Sequence, residues 1–318
     1  MDNLAQVWKN EGFSTTAVSI IMASWSKNTA EQYNSCLKNW IKFAEDTNCG
    51  LTPTPTSLCN FLAYINEKGR SFSTIASHKA AITTFFDNLC GSQLSADPTL
   101  KRFMKGLFRK NPSKARYSST WDVGTVLSYL EELGPNQCLG IRMLTLKLAF
   151  LLSICSPRRV SEIASLSLAS VQKQPEKWTF FLDYRNKNRT NGPPHSAVYE
   201  TFYENSLLCP VKCLVDYLNK TKEKRGNEQR LLLSYVTFKP VSPSTVARWV
   251  KEVLSMAGIP MKFTAHSTRS ASTSKALKSG ASLKIIMKAA CWSEKSQTFQ
   301  QFYCRSDEPT FQSRVLSR

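Results

Sequence analysis

Over residues 1–110 apolar side chains recur at helical spacing, and then Asn111-Pro112-Ser113-Lys114 and the polar, basic stretch to Thr120 stop the pattern. Pro112 has no backbone N–H to give a helix, and a segment without apolar periodicity has no face to bury against a core. The break therefore divides the 318 residues into two folding units, each of a size that one core ordinarily serves. The expected organisation is a helical domain over 1–110, a linker over 111–120, a larger domain over 121–305 and a tail over 306–318.

Four helices account for the first domain. Asn28 followed by Glu31 has the spacing of a capping box, and Tyr33, Leu37, Trp40, Ile41 and Ala44 then fall on one face. Thr54-Pro55 places a cap and an N1 proline before Leu58, Phe61, Leu62 and Ile65. Ser73 is the expected cap of a third helix, with Ile75, Ile82, Phe85, Phe86 and Leu89 inward and Gly91 as its stop. The fourth, Pro98 to Lys110, has two faces. Leu100, Phe103, Met104, Leu107 and Phe108 form the apolar stripe, and Lys101, Arg102, Lys105, Arg109 and Lys110 crowd the rest. With Lys114 and Arg116 these make seven cations and no acid between residues 101 and 116. A face kept only for solubility mixes signs, so this one is read as a surface for a polyanion.

Beyond the break, helices are expected over Val123–Leu133, Ile141–Ile154, Pro210–Lys222, Ser244–Ala257, Ser267–Lys278 and Ser282–Ala290. Trp178–Tyr184 and Ser196–Tyr203 read as strands around a turn-rich 185–194. The fold class is mainly α, with one small β-sheet in the larger domain.

Lys and Arg total 42 against 23 Asp and Glu, a net charge of +19. Such an excess bears on partners, and nucleic acid is the commonest polyanion. A hydrophobic content of 42% excludes wholesale disorder. The most apolar run, Ile141 to Cys155, is interrupted by Arg142 and Lys147 and is shorter than the ~20 residues of a membrane span. No secretory leader is read at the N-terminus, so the ten cysteines are expected to be reduced, inside the cell, and in the nucleus if the host is eukaryotic. Cys209 and Cys213 are the only close pair. With three histidines in the chain, that pair reads as buried thiols at a helix start, and no metal or cofactor is expected.

Three segments of the larger domain carry chemistry: Ser156-Pro-Arg-Arg-Val-Ser-Glu162, His266-Ser-Thr-Arg269, and Trp292 followed by Tyr303. In this order and spacing they resemble the tyrosine recombinase (phage integrase) family, in which an Arg-x-Ser-Glu box, a His-x-x-Arg box, a His or Trp and a nucleophilic Tyr succeed one another. Arg159-Val-Ser-Glu162 fits the first box, with Arg158 one place early and Pro157 where the family commonly has Gly. Trp292 and the run Ala265-His-Ser-Thr-Arg-Ser-Ala are most similar to recombinases of eukaryotic Crypton and DIRS mobile elements. The resemblance spans nearly the whole chain, since the first domain is similar to the family's helical core-binding domain. The family's catalytic lysine lies in a β-turn between the boxes, and Lys187, flanked by Arg185 and Arg189, matches it.

The resemblance implies a strand transfer through a 3′-phosphotyrosyl intermediate, without metal. Two guanidinium forks, Arg159 and Arg269, suit the non-bridging oxygens of a phosphodiester and stay charged at any working pH. The indole N–H of Trp292 suits a third bond to the same group. Tyr303 would attack, His266 would accept its proton or orient the phosphate, and Lys187 would protonate the leaving 5′ oxygen. Glu162 is read as a structural partner holding the first box. Arg158 is read as a backbone-phosphate contact or a surface charge, and Lys79, with Ser77 and His78 on the third helix, as part of a groove reader. Double-stranded DNA is the expected partner, with a homotetramer on DNA, and the tail is expected to dock on a neighbouring subunit. A DNA-binding protein that has lost its activity, or relaxation of supercoils as by type IB topoisomerases, are the alternatives. The first is disfavoured because the full residue set is present.

Overall fold

The structure, a computed structural model, describes residues 2–112, 117, 119–182 and 195–292, and the chain forms two compact units, Met1–Lys114 and Ala115–Arg318. The first unit is all helical: α1 (Asp2–Asn10), α2 (Thr15–Met22), α3 (Lys27–Thr47), α4 (Pro55–Glu67), α5 (Phe72–Cys90) and α6 (Pro98–Lys110). The apolar stripes meet where α3 and α4 pack on α5 and α6 packs on α4, burying Trp40, Leu58, Phe61, Leu62, Ile75, Ile82 and Leu100. Periodicity alone does not reveal α1 and α2. Each is too short to show a stripe, and they are anchored by Leu4, Trp8 and Val18, with Trp8 stacked on Trp25 at 6.1 Å.

Two caps lie upstream of the expected residues. Ser26, not Asn28, caps α3 by accepting from the Thr29 N–H at 3.2 Å, and Ser71, not Ser73, caps α5 by accepting from Thr74. In both cases a serine with extended backbone stands earlier in the chain, and the helix begins at the first residue that can be capped. Thr54 and Pro55 open α4 as expected, and Gly91 ends α5 with a left-handed φ of 62°. Along α6, Leu100 and Leu107 are buried, while Phe108 is exposed and rests edge-on against Phe72.

The second unit contains α7 (Val123–Glu132), α8 (Ile141–Cys155), α9 (Val160–Ala164), β1 (Val171–Gln174), β2 (Lys177–Phe181), β3 (Ser196–Glu200), α10 (Pro210–Arg225), α11 (Pro243–Met256), α12 (Ser267–Lys278) and α13 (Leu283–Ala290). The apolar run seen in the sequence is α8. It is surrounded by α9, α10, α11 and α12, which is why it is apolar on every side. Lys147, in its middle, is fully buried and donates to the Gly134 carbonyl at 3.3 Å.

The sheet is antiparallel in the order β1-β2-β3, with Trp178 opposite Tyr199 and Phe180 opposite Ala197. Those four are the inward residues of the alternating pattern. The N–H of Leu182 donates to the His195 carbonyl at 2.8 Å. Among the described residues no helix is long and apolar enough to cross a membrane.

Candidate active site

Arg159 stands at the turn from α8 into α9, and Glu162 fixes it there. The Glu162 carboxylate, 4% exposed, accepts from the Arg159 backbone N–H and from its guanidinium, both at 3.0 Å. Acid in the first turn of a helix is itself favourable, so a single carboxylate both starts α9 and aims the arginine. The Arg159 side chain is 35% exposed and has donors left over.

The His266-x-x-Arg269 box opens α12. Trp121 donates its indole N–H to Ser267 Oγ at 2.9 Å, and Ser267 donates to the Thr264 carbonyl at 2.6 Å, so α7 and α12 are pinned at the start of the box. His266 is exposed at the N-cap position and makes no capping bond to the helix. Arg269, one turn on, is 2% exposed. Its guanidinium donates to the Ala290 carbonyl at 3.1 Å and lies 5.1 Å from the Trp292 ring centroid. The last residue of α13 and Trp292, two residues beyond it, therefore sit on the second arginine, and the cation–π contact orients both planes.

Arg158 corrects an expectation. It is no surface cation: it is 5% exposed, and its guanidinium donates to Ser156 Oγ at 3.3 Å, to the Ser196 carbonyl and to Cys291 Sγ. Its guanidinium is engaged by three internal acceptors, unlike the surface cation expected at this position. Cys291 Sγ also lies 2.8 Å from His195 Nδ1. Cys291, His195 and Ser196 carry no signal in the sequence, and the only hint is the doubled arginine at 158–159.

The segments of Arg159, Arg269 and Trp292 thus close on one another, since Arg158 adjoins Arg159 and bonds Cys291, and Cys291 adjoins Trp292, which faces Arg269. Lys187, with Arg185 and Arg189, and Tyr303 lie outside the described residues, as do Lys114, Arg116 and the tail.

In the first unit Lys101, Arg102, Lys105, Arg109 and Lys110 are all exposed along α6, and none forms an ion pair among the described residues. The expected reader on α5 fares differently. Lys79 is partly exposed, but His78 is buried, with Nδ1 2.9 Å from the Thr74 carbonyl and Nε2 3.1 Å from Asn39 Nδ2. A carbonyl only accepts, so Nδ1 carries the proton and Nε2 accepts from the amide. His78 ties α5 to α3 through Asn39.

Cys209 caps α10 through its sulfur, and Cys213 is fully buried, where desolvation pushes its thiol up to about 12. No group of three or more His, Cys, Asp or Glu among the described residues is placed to hold a metal ion.

A family model described as the phage integrase family matches residues 125–309, and one described as the phage integrase N-terminal SAM-like domain matches residues 20–92. A search of curated proteins by sequence finds no match. Among solved structures, a lambda integrase dimer bound to a COC′ core site aligns with a TM-score of 0.56 at 18% identity, covering 98% of this chain and 79% of that one. A lambda integrase tetramer bound to a Holliday junction gives 0.55 at 16%, covering 97% and 77%. The Tn1549 transposon integrase in complex with circular intermediate DNA gives 0.53 at 13%, covering 89% and 99%. At these identities the likeness is one of fold. The first model, however, spans more than half of the chain and contains Arg159, His266, Arg269 and Trp292, so the chain belongs to the tyrosine recombinase (phage integrase) family.

Proposed function

We propose that the protein is a site-specific DNA recombinase of a mobile element, of the Crypton or DIRS kind, which cuts and rejoins double-stranded DNA through a 3′-phosphotyrosyl intermediate. What supports this most is the convergence of an aimed, half-exposed guanidinium at Arg159 with a buried one at Arg269, capped by Trp292. Two fixed guanidiniums can neutralise the charge that gathers on a pentacoordinate phosphorane, and they need no rearrangement to do so.

In this reading Arg159 and Arg269 grip the non-bridging oxygens and Trp292 braces Arg269. His266, exposed beside them, takes the proton of the attacking Tyr303 or orients the phosphate. Lys187 protonates the leaving 5′ oxygen. A second strand's 5′-hydroxyl then displaces the tyrosine and restores a phosphodiester, so the bond energy is conserved and no nucleotide cofactor is consumed. The exposed cations of α6, with Lys79, Lys114 and Arg116, hold the duplex by its phosphates. Strand exchange between two duplexes requires four cleavages, so the working form on DNA is a homotetramer, in likeness to the lambda integrase tetramer. A eukaryotic host would place it in the nucleus.

The test uses a pool of nicked duplexes with a randomised core, selected for binding, in which the nick lets the cut fragment diffuse away and traps the adduct. Wild-type protein is expected to give a covalent protein–DNA band on a denaturing gel, and Tyr303→Phe none. An adduct formed by Tyr303→Phe would overturn the assignment of the nucleophile.

A further inference from the structure

We propose that Arg158 is a positioning residue for strand cleavage, an internal guanidinium that ties the Arg159 turn, the first residue of β3 and the Cys291–Trp292 turn into one rigid site. This rests on the recombinase reading and adds to it a residue that does not touch DNA. Its bonds come from three separate stretches of chain: Ser156 before α9, Ser196 at the start of β3 and Cys291 at the end of α13. Cys291 is itself held against His195, the residue before β3, so the start of the return strand meets the residue that precedes Trp292 directly through His195 and by way of Arg158 through Ser196.

An apolar side chain would fill the same space without direction. A guanidinium gives five donors in a fixed plane, and each bond it makes here restrains the angle between two elements as well as their distance. Cys291 has a left-handed φ of 50°, a conformation that non-glycine residues adopt at some cost. Backbone bonds from the Cys291 and Trp292 N–H groups to the Lys288 and Met287 carbonyls, at 3.2 and 2.9 Å, close this turn on α13, and Arg158 adds the tie from it to the Arg159 turn and β3.

The test compares wild type, Arg158→Met and Cys291→Gly on duplexes with a natural scissile phosphate and on the same duplexes with a methylphosphonate there. Methionine fills the space without donors, and glycine suits the positive φ while removing the sulfur, so the second variant tests the tie even if the first does not fold. A methylphosphonate lacks one anionic oxygen and depends less on aligned guanidiniums. On the natural phosphate Arg158→Met is expected to lower the rate of adduct formation at saturating DNA roughly 10²-fold, as small misplacements do, with Cys291→Gly falling in the same direction by less. Binding of the duplex should stay within about twofold, and the defects should shrink at least several-fold on the methylphosphonate. Equal defects on both substrates, or wild-type rates in both variants, would overturn the proposal while leaving the recombinase reading intact. Failure of wild type to form any adduct would overturn both.

Discussion

Arg158 and Arg159 are chemically identical neighbours with opposite fates. Arg159 begins α9 and is aimed by Glu162 three residues ahead, a pairing local enough to be read from the Arg-x-Ser-Glu spacing. Arg158 turns inward because its acceptors, Ser196 and Cys291, are 38 and 133 residues away, and no spacing rule reaches that far. His78 escapes a reading by spacing for the same reason, since its partner Asn39 lies on another helix. The catalytic role assigned to Arg159 leads to a specific expectation for its partner. Glu162→Gln keeps the shape but exchanges a carboxylate for an amide at a buried site, weakening a charge-assisted bond worth about 1.5–3 kcal/mol. Cleavage at saturating DNA is expected to slow about tenfold or more, with DNA affinity little changed; single-turnover adduct formation checks it, and an unaltered rate would leave Glu162 as a helix-starting residue only.

Local signals decide where elements are and long-range ones decide how much of each is used. The Asp97-Pro98 start and apolar stripe of α6 place that helix at its observed ends, whereas β1, Val-Gln-Lys-Gln, has no alternation of its own and exists by pairing with β2. Helix α8 carries the sharpest energetic consequence of burial. Desolvation holds the Lys147 ammonium below the usual lysine range, against the opposing pull of Cys213 and Asp216. Between that lowered value and the unfolded value near ~10.4 the unfolded chain binds more protons. Stability therefore rises as pH climbs through this window, and the cost of the buried charge is present in full below it. Lys147→Met removes the charge at the expense of one bond to Gly134, and is expected to raise stability by about 1 kcal/mol near neutrality. Urea midpoints taken from neutral pH to about pH 10 should show that gain narrowing as wild type sheds its proton; a constant gap would mean that the ammonium carries no penalty.

Over the whole molecule the charge of +19 resolves into cations with different work. Three arginines of the second unit lie in or beside the candidate site, and five exposed cations line α6 without an ion pair among the described residues. If that face meets DNA, Lys101→Glu with Lys105→Glu should weaken binding and flatten the dependence of log affinity on log salt by about 0.9 for each phosphate left without its cation, with no change in the unfolding midpoint. Filter binding across a salt series checks it, and an unchanged slope would return α6 to the status of a solvated face. The sequence by itself determined that there are two cores, that the first is helical and that guanidinium, imidazole and indole groups follow one another in a family order. Capping, periodicity and charge runs act over a few residues, and motif order needs no folding to be seen. Only the tertiary structure decided that Arg158 serves the interior, that His78 packs helices, and that the Arg159, Arg269 and Trp292 segments close on each other. Those outcomes depend on acceptors and burial supplied by distant stretches of chain, which come within hydrogen-bonding reach only when the core around α8 has formed.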